Sequence, residues 1–183
     1  MTDASTRTRL ISTAARLFQL KGYNGVGLAE ILAAADAPKG SLYHHFPQGK
    51  TDLARAAAEW SSEVMLAIID AAFEGKSNWQ GGVAHLMHKL AKLFDLTNLS
   101  NSCPIKAILF DGPGDQSFHD LYATIIRSWQ DRLAQHGRRL GLSEDRARLE
   151  AETLLIAIEG GWMLARALRS SDVLRSIPER LFA

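Results

Sequence analysis

The stretch APKGSLYHHFPQGKTDL, residues Ala37–Leu53, decides how this chain of 183 residues folds. Pro38 suits the first turn of a helix, because the N–H that proline lacks would have no intrahelical partner there. Pro47 ends that helix, and Gly49 precedes a long run of helix-forming residues. The stretch therefore predicts a short helix, PKGSLYHHF, followed at once by the start of a long one.

Two further helices are predicted before this stretch. Residues 5–22, STRTRLISTAARLFQLKG, place apolar side chains at helical spacing, and Gly22 ends the segment. After the glycine-rich turn GYNGVG, residues 28–36, LAEILAAAD, form a second and shorter helix. Two short helices joined by a turn of about three residues, with a supporting helix before them, make a helix-turn-helix.

The remainder of the chain is predicted to be helical as well, because no segment alternates with a period of two for long. Helices are expected over 50–74, from Ser77 or Asn78 to about 96, from Cys103, from Ser117, over 143–168 and over 171–182. In the first of these, the predicted buried face consists of Ala57, Trp60, Val64, Ala67, Ile68 and Ala71. The predicted fold class is all-α, with an N-terminal three-helix helix-turn-helix domain over 1–48 and a C-terminal helical bundle over 49–183.

The charge of the chain is unevenly distributed. The net charge is +1, but residues 1–55 carry seven basic and four acidic residues, which gives +3 (7 − 4) there and −2 in the remainder. A basic N-terminal third predicts a polyanionic partner for that part of the chain.

Several features of the composition favour a cytoplasmic protein. The polar start MTDASTRTRL lacks the apolar core of a signal peptide. No apolar run approaches the roughly 20 residues that a membrane-spanning helix needs, so no membrane partner is expected. The single cysteine, Cys103, excludes an internal disulfide, as is typical of a reducing compartment.

A nucleotide site and a metal site are the first two interpretations of the opening stretch. A phosphate-binding loop requires a preceding strand and a glycine five residues before Gly49, where this chain has His44. Adjacent His44 and His45 point about 100° apart on a helix, so they are poorly placed to share an ion. His85 and His88 have i, i+3 spacing, but no acidic pair lies near them. With no paired carboxylates and no nucleophile elbow, neither an enzyme nor a metal or cofactor is expected.

Recognition of a DNA groove is the third interpretation, and the residue types of the stretch suit it. Gly40 and Ser41 are small enough for close approach to DNA, and Leu42 and Phe46 would attach the helix to its scaffold. The outer face of the helix would present His44 to a base edge or a phosphate. The predicted phosphate donors are Lys39, the hydroxyls of Ser41 and Tyr43, His45, and Lys50 at the start of the next helix.

The same residues resemble the recognition helix and the following helix start of TetR-type transcriptional regulators. The match covers about residues 6–60 and includes LFQLKGYNGVGLAEILAAADA before PKGSLYHHFPQGKTDL. Many relatives carry Thr or Ser as the cap of the second helix, where this chain has Gly27 and Leu28. Only the backbone N–H groups of Gly27 and Leu28 are therefore expected to contact a phosphate there. Within the family, the sequence looks like the LmrA/YxaF-like branch.

The resemblance implies an all-helical homodimer. A small DNA-binding domain would be followed by a larger domain that holds a ligand cavity and the dimer interface. The implied function is that of a ligand-responsive repressor, released from a near-palindromic double-stranded DNA operator by a small effector molecule. Because few charges fall on the inward helix faces, a largely apolar or aromatic effector is expected.

Candidate residues follow for both parts of the larger domain. The cavity lining is predicted to include Trp60, Met65, Phe94, Cys103, Phe110, Trp129 and Trp162, with Asp111 or His119 as a polar anchor. The helix over 143–168 is apolar around enough of its circumference to bury two faces, so one of them is expected to contact a partner chain. The predicted dimer stripe consists of Leu154, Ile158, Gly161, Ala165 and Leu168. Two interpretations of Cys103 stay open: a packed apolar residue, or a reactive thiol at a helix N-terminus.

Two other functions are compatible with the sequence. The first is a helical small-molecule-binding protein or enzyme that uses its N-terminal helices only as scaffold. The second is an architectural DNA-binding protein without sequence preference, which the modest charge disfavours because such proteins rely on many phosphate contacts.

Overall fold

The computed structural model of the protein describes residues 3–96, 105–109 and 116–183. Within these ranges every regular element is a helix, which confirms the predicted fold class. The helices are α1 (Asp3–Lys21), α2 (Leu28–Ala34), α3 (Lys39–His45), α4 (Lys50–Phe73), α5 (Trp79–Leu96), α6 (Lys106–Leu109), α7 (Gln116–Arg139), α8 (Glu144–Leu168), α9 (Asp172–Arg175) and α10 (Ile177–Phe182). The helix start predicted at Cys103 lies outside the described residues.

The chain divides into two compact units. The first takes in residues 1–63 and 103–124, and the second takes in residues 64–102 and 125–183. Helices α4 and α7 contribute residues to both units. The predicted division of the chain into domains at residue 48 stays a prediction.

The first unit has its core between α1, α2 and α3. Leu10, Ala14 and Phe18, which the sequence pattern places on one face of α1, are fully buried. Ile31 of α2 and Leu42 of α3 are also inaccessible to solvent. Complete burial of a large aliphatic side chain contributes about 1.5–3 kcal/mol, so this shared core holds the three helices together.

The buried face of α4 differs from the predicted one. Trp60 and Val64 are each 40% exposed, and of the predicted face only Ala57 is fully buried among the residues described. The buried side is formed instead by Leu53, Ala54, Ala58, Ser61, Met65, Ile69, Ala72 and Phe73. The prediction was wrong because α4 carries alanine on all sides and because a buried serine breaks the apolar pattern. The Ser61 hydroxyl donates to the Ala57 carbonyl at 2.7 Å, which offsets the cost of burying it.

The second unit is built on α5 and α8. Asn78 caps α5 by accepting a hydrogen bond from the amide of Gly81 at 2.8 Å, and Ser143 caps α8 by accepting from the amide of Arg146. The predicted inward residues of α5 are all buried: Val83, Leu86, Met87, Leu90 and Phe94. Helices α9 and α10 pack against α5, and α9 also packs against α8, so the C-terminal helices complete the core of this unit.

Aromatic rings enclose the C-terminal end of α4 within the second unit. The Phe73 ring stacks on the His136 ring, with centroids 5.0 Å apart and an interplanar angle of 13°. The centroid of the Trp79 ring also lies 5.0 Å from that of Phe73, and the Phe73 carbonyl accepts a hydrogen bond from Arg139 at 2.8 Å. A Cβ on Gly82 would come within 2.1 Å of the Phe73 ring, so position 82 has no room for a side chain.

Candidate nucleic-acid interface

The predicted recognition helix is α3, over Lys39–His45. Its N-cap residue is Pro38, with φ −71° and ψ 150°, so the helix begins one residue later than the sequence suggested. The amide of Ser41 donates to the Pro38 carbonyl at 3.0 Å and closes the first turn. Leu42 and Phe46 are buried, as predicted, and α3 packs against α1.

The remaining residues of α3 form a surface that we call the recognition surface. Its members are Lys39, Gly40, Tyr43 and His44, which are exposed, and Ser41 and His45, which are half-buried. Apart from its chain neighbours and the backbone of its own helix, no described atom lies within 4 Å of a Cβ built on Gly40, so the space in front of this glycine is open. The His44 and His45 rings meet edge to face, with centroids 5.0 Å apart. An ammonium, a phenol, a hydroxyl and two imidazoles are therefore carried by the parts of this short helix that are not packed in the core.

The start of α2 lies beside this surface. Gly49 has φ +64°, a conformation that favours glycine, and its ideal Cβ position is 3.5 Å from Tyr43 Cε1 and 3.6 Å from Leu28 Cδ1. The N-cap of α2 is Gly27, and no side chain caps this helix. The structure thus brings the backbone of Gly27 and Leu28, the Tyr43 ring and the residue before α4 into one neighbourhood.

Lys50 is placed differently from the other predicted phosphate donors. Its Nζ lies 4.2 Å from the centroid of the Tyr23 ring, and burial lowers the pKa of its ammonium. A phosphate contact by Lys50 would have to compete with this ring. Lys39 is exposed, by contrast, and makes no ion pair or hydrogen bond with any described residue.

Two arginines of α1 contact the helix-turn-helix, and the sequence pattern signalled neither contact. Arg9 donates to the carbonyls of Ala35 and Asp36, each at 3.1 Å. The Arg7 guanidinium lies 5.6 Å from the centroid of the Phe46 ring. Both arginines contribute to the positive charge of residues 1–55, but contacts between residues so far apart in the chain leave no local sequence pattern.

The residues predicted to line a ligand cavity differ in burial and in the unit to which they belong. Met65, Phe94, Trp129 and Trp162 are buried and belong to the second unit. Trp60 is 40% exposed and belongs to the first unit, so it differs from these four in both respects. Of the remaining candidates, His119 is exposed, whereas Cys103, Phe110 and Asp111 lie outside the described residues. The ligand cavity itself stays a prediction.

The predicted dimer stripe of α8 is mostly buried inside the protomer. Leu154, Ile158, Gly161 and Ala165 are all inaccessible, and a Cβ on Gly161 would lie 2.6 Å from Ile177 Cδ1 of α10. Gly161 thus lies close against another helix of the same chain, and within the protomer these four residues are not open to a partner. Leu168 is the exception, at 66% exposed. The apolar side chains that α8 leaves open to solvent are Leu149, Ile156, Met163, Leu164 and Leu168, which we call the open face of α8.

The two histidines at i, i+3 spacing, His85 and His88, have partners within the protomer. His85 Nδ1 lies 3.1 Å from the Ala72 carbonyl oxygen, and His88 Nδ1 lies 3.4 Å from the Arg175 guanidinium. Within residues 3–96, 105–109 and 116–183, no group of three or more His, Cys, Asp or Glu side chains could hold a metal ion. In the same ranges, none of the helices combines the length and the apolar character needed to cross a membrane.

Both ends of the chain are similar to known regulators. Residues 10–57 match the family described as bacterial regulatory proteins of the tetR family, and residues 80–180 match the C-terminal domain of LmrA/YxaF-like transcriptional regulators. The HTH-type transcriptional regulator LmrA from Bacillus subtilis is 33% identical over 183 residues, which cover 97% of this chain and 95% of LmrA. The HTH-type regulator YxaF from the same organism is 29% identical over 176 residues, which cover 96% of this chain and 92% of YxaF.

A solved structure shows the same architecture. The regulatory protein TetR from Rhodobacter sphaeroides is 27% identical and superposes with a TM-score of 0.82, over 96% of this chain and 95% of that one. These relatives are transcriptional regulators and not enzymes, and their similarity extends over nearly the whole chain. The chain therefore belongs to the TetR family of DNA-binding transcriptional regulators and carries an LmrA/YxaF-like C-terminal domain.

Proposed function

We propose that this regulator is a cytoplasmic repressor that binds a near-palindromic operator as a homodimer and leaves it when a small, largely apolar or aromatic molecule binds. The observation that carries this proposal is the recognition surface, in which donors suited to phosphate surround an exposed glycine. Each protomer would insert α3 into a major groove, so the two halves of the operator would lie about one helical turn apart.

Each residue of the recognition surface has a proposed task. Gly40 and Ser41 permit close approach of the helix to DNA, and Lys39 and Tyr43 donate to phosphates. His44, at the outer side of the helix, contacts a base edge or a phosphate, and His45 supports it from the half-buried side. The backbone N–H groups of Gly27 and Leu28 at the start of α2 supply further phosphate donors, with Lys50 in a lesser role because Tyr23 holds its ammonium.

The open face of α8 is the proposed dimer interface. Leu149, Ile156 and Met163 are spaced seven residues apart, so they form a stripe along two helical repeats. Beside this stripe, an apolar groove of about 250 Å³ is lined by residues of α8 and of the two C-terminal helices, among them Ala157, Gly160 and Val173. A second copy of the chain fits this face because a two-fold axis would place the same apolar stripe opposite itself.

The effector would act by its different affinity for two states of the dimer. A molecule that binds equally well to the operator-bound state and to the released state shifts nothing, however tightly it binds. Release therefore requires that the effector prefer a dimer in which the two α3 helices no longer match the operator. Few charges fall on the inward helix faces of the second unit, which supports an apolar or aromatic effector.

Selection of random duplex DNA on the purified protein, at near-physiological salt, tests this proposal. Enrichment of an inverted repeat is the expected result, and the selected DNA can then be used to screen small molecules for release. Enrichment without any sequence motif would favour an architectural role instead. Failure to enrich any duplex, after unfolding and refolding to remove a bound effector, would contradict the proposal.

A further inference from the structure

The orientation of α3 depends on a very short turn. Helix α2 ends at Ala34 and α3 begins at Lys39, so four residues set the direction in which the recognition helix leaves α2. Asp36, within this turn, has φ +47°, a left-handed conformation that costs roughly 1–2 kcal/mol for a residue with a Cβ. A turn of this kind keeps one geometry only when neighbouring groups hold it.

Arg9 holds the turn from α1. Its Nε donates to the Ala35 carbonyl and its Nη2 donates to the Asp36 carbonyl, each at 3.1 Å. A third donor, Nη1, lies 3.3 Å from the Ser5 hydroxyl, which restrains the guanidinium on its own helix. The two carbonyls lie at the C-terminal end of α2, where helix carbonyls lack intrahelical partners and a positive charge is favourable. The planar guanidinium can satisfy both carbonyls at once because its donors form a fixed fork.

Arg7 contacts the other end of the recognition helix. Its guanidinium lies 5.6 Å from the centroid of the Phe46 ring, within the range of a cation–π interaction. Phe46 is the C-cap residue of α3 and is buried, and its amide donates to the Leu42 carbonyl at 2.7 Å. One turn of α1 therefore contacts the residues just before α3 and the residue just after it.

We propose that Arg7 and Arg9, the arginine pair, are positioning residues that hold α3 in the orientation required for operator recognition. The pair acts through protein carbonyls and a ring, and it does not bind phosphate. This inference rests on membership of a DNA-binding family and on the described contacts, and it does not depend on the proposed effector or on the repressor role. The arginine pair raises the fraction of protein whose recognition helix is ready to bind, and apparent operator affinity scales with that fraction.

Arg9→Gln and Arg9→Lys test the proposal, and Arg16→Gln is the matched control. Arg16 lies on the same helix, is exposed, and has no partner among the described residues. Dissociation constants for the selected operator and for an unrelated duplex would be measured with the full-length protein over a range of salt concentrations. Arg9→Gln is expected to weaken operator binding about tenfold, with a smaller effect on the unrelated duplex. The slope of log affinity against log salt concentration should remain that of Arg16→Gln. Arg9→Lys should also weaken operator binding, because a single ammonium cannot reproduce the two-carbonyl fork.

Several outcomes would overturn the proposal. A salt slope that falls by about one for each protomer in Arg9→Gln, relative to Arg16→Gln, would identify Arg9 as a phosphate contact. Wild-type operator affinity in Arg9→Lys would show that a positive charge at position 9 is sufficient and that the two hydrogen bonds of the guanidinium are not needed. An equal loss of operator and unrelated binding would show that the arginine does not act on recognition.

Amide hydrogen exchange of the DNA-free protein tests the same idea without an operator. In Arg9→Gln and in Arg7→Gln, amides of α3 should exchange about tenfold faster than in the wild type, while buried amides of α1 keep their protection. Unchanged exchange in α3 would contradict the proposal. If Arg9→Gln fails to fold, operator binding and amide hydrogen exchange are measured with Arg9→Lys and Arg7→Gln instead.

Discussion

Replacing Tyr43 with phenylalanine removes one hydroxyl and leaves the ring in place. The substitution leaves the packing of the ring beside Gly49 unchanged, where Tyr43 Cε1 lies 3.5 Å from the position that a Cβ would take. The stability of the protein should therefore not change. Tyr43 is 46% exposed, and its hydroxyl makes no hydrogen bond to a described residue, so it is available to a phosphate.

The expected loss of affinity follows from the exposure of this side chain. A hydrogen bond to a charged group contributes about 1.5–3 kcal/mol, and an exposed site takes the lower end of that range, which corresponds to about tenfold in each half-site. A dimer that contacts two half-sites should therefore lose about 100-fold in operator affinity. The salt slope should stay the same, because a neutral hydroxyl releases no counterion.

Fluorescence anisotropy with the selected operator measures this loss, and thermal unfolding checks stability. Tyr23→Phe is the control, because it makes the same chemical change at a buried ring outside the recognition surface. Operator affinity equal to that of the wild type in Tyr43→Phe would remove the phosphate contact from the proposal. A loss of similar size in Tyr23→Phe would show that the effect does not come from the recognition surface.

Three further predictions concern charge, assembly and packing. Lys39→Gln should lower the salt slope of operator binding by about one per protomer. Lys50→Gln should lower the slope less, because the Lys50 ammonium already interacts with the Tyr23 ring. Equal slopes for the two variants in salt titrations would contradict this ranking. Ile156→Glu places a charge on the open face of α8 and should convert the dimer to monomer in sedimentation velocity, whereas a dimer that persists at micromolar concentration would move the interface elsewhere. Gly82→Ala should lower the free energy of unfolding by about 2 kcal/mol. Overpacking against the Phe73 ring costs about 3 kcal/mol, and the higher helix propensity of alanine offsets about 1 kcal/mol of that cost. An unfolding midpoint at or above that of the wild type would refute this prediction.

The features that local sequence predicts well have local physical causes. The recognition helix was predicted because Pro38 and Pro47 bracket it and because Leu42 and Phe46 have the spacing of one helix face. The start of α5 was predicted at Ser77 or Asn78 because either side chain can accept a hydrogen bond from a backbone amide of the first turn, and Asn78 is the one that does. In each of these cases the cause lies within a few residues of the feature.

The features that the sequence did not predict depend on residues far apart in the chain. In α4 two faces are almost equally apolar, and the choice between them rests on what each face packs against. The same holds for α8, where Ile158 and Ile156 have identical chemistry, but one is buried and the other is exposed. The contacts of Arg9 depend on carbonyls more than twenty residues away, as its hydrogen bond to Ala35 shows.

The exposed position of Trp60 gives the protein an optical probe of its own. The other three tryptophans, Trp79, Trp129 and Trp162, are at most 3% exposed. Trp60 should therefore emit at longer wavelength than they do and be the one that iodide quenches. A change in quenchable emission during a titration would report on the open side of α4 without any attached dye, and Trp60→Phe would identify the signal.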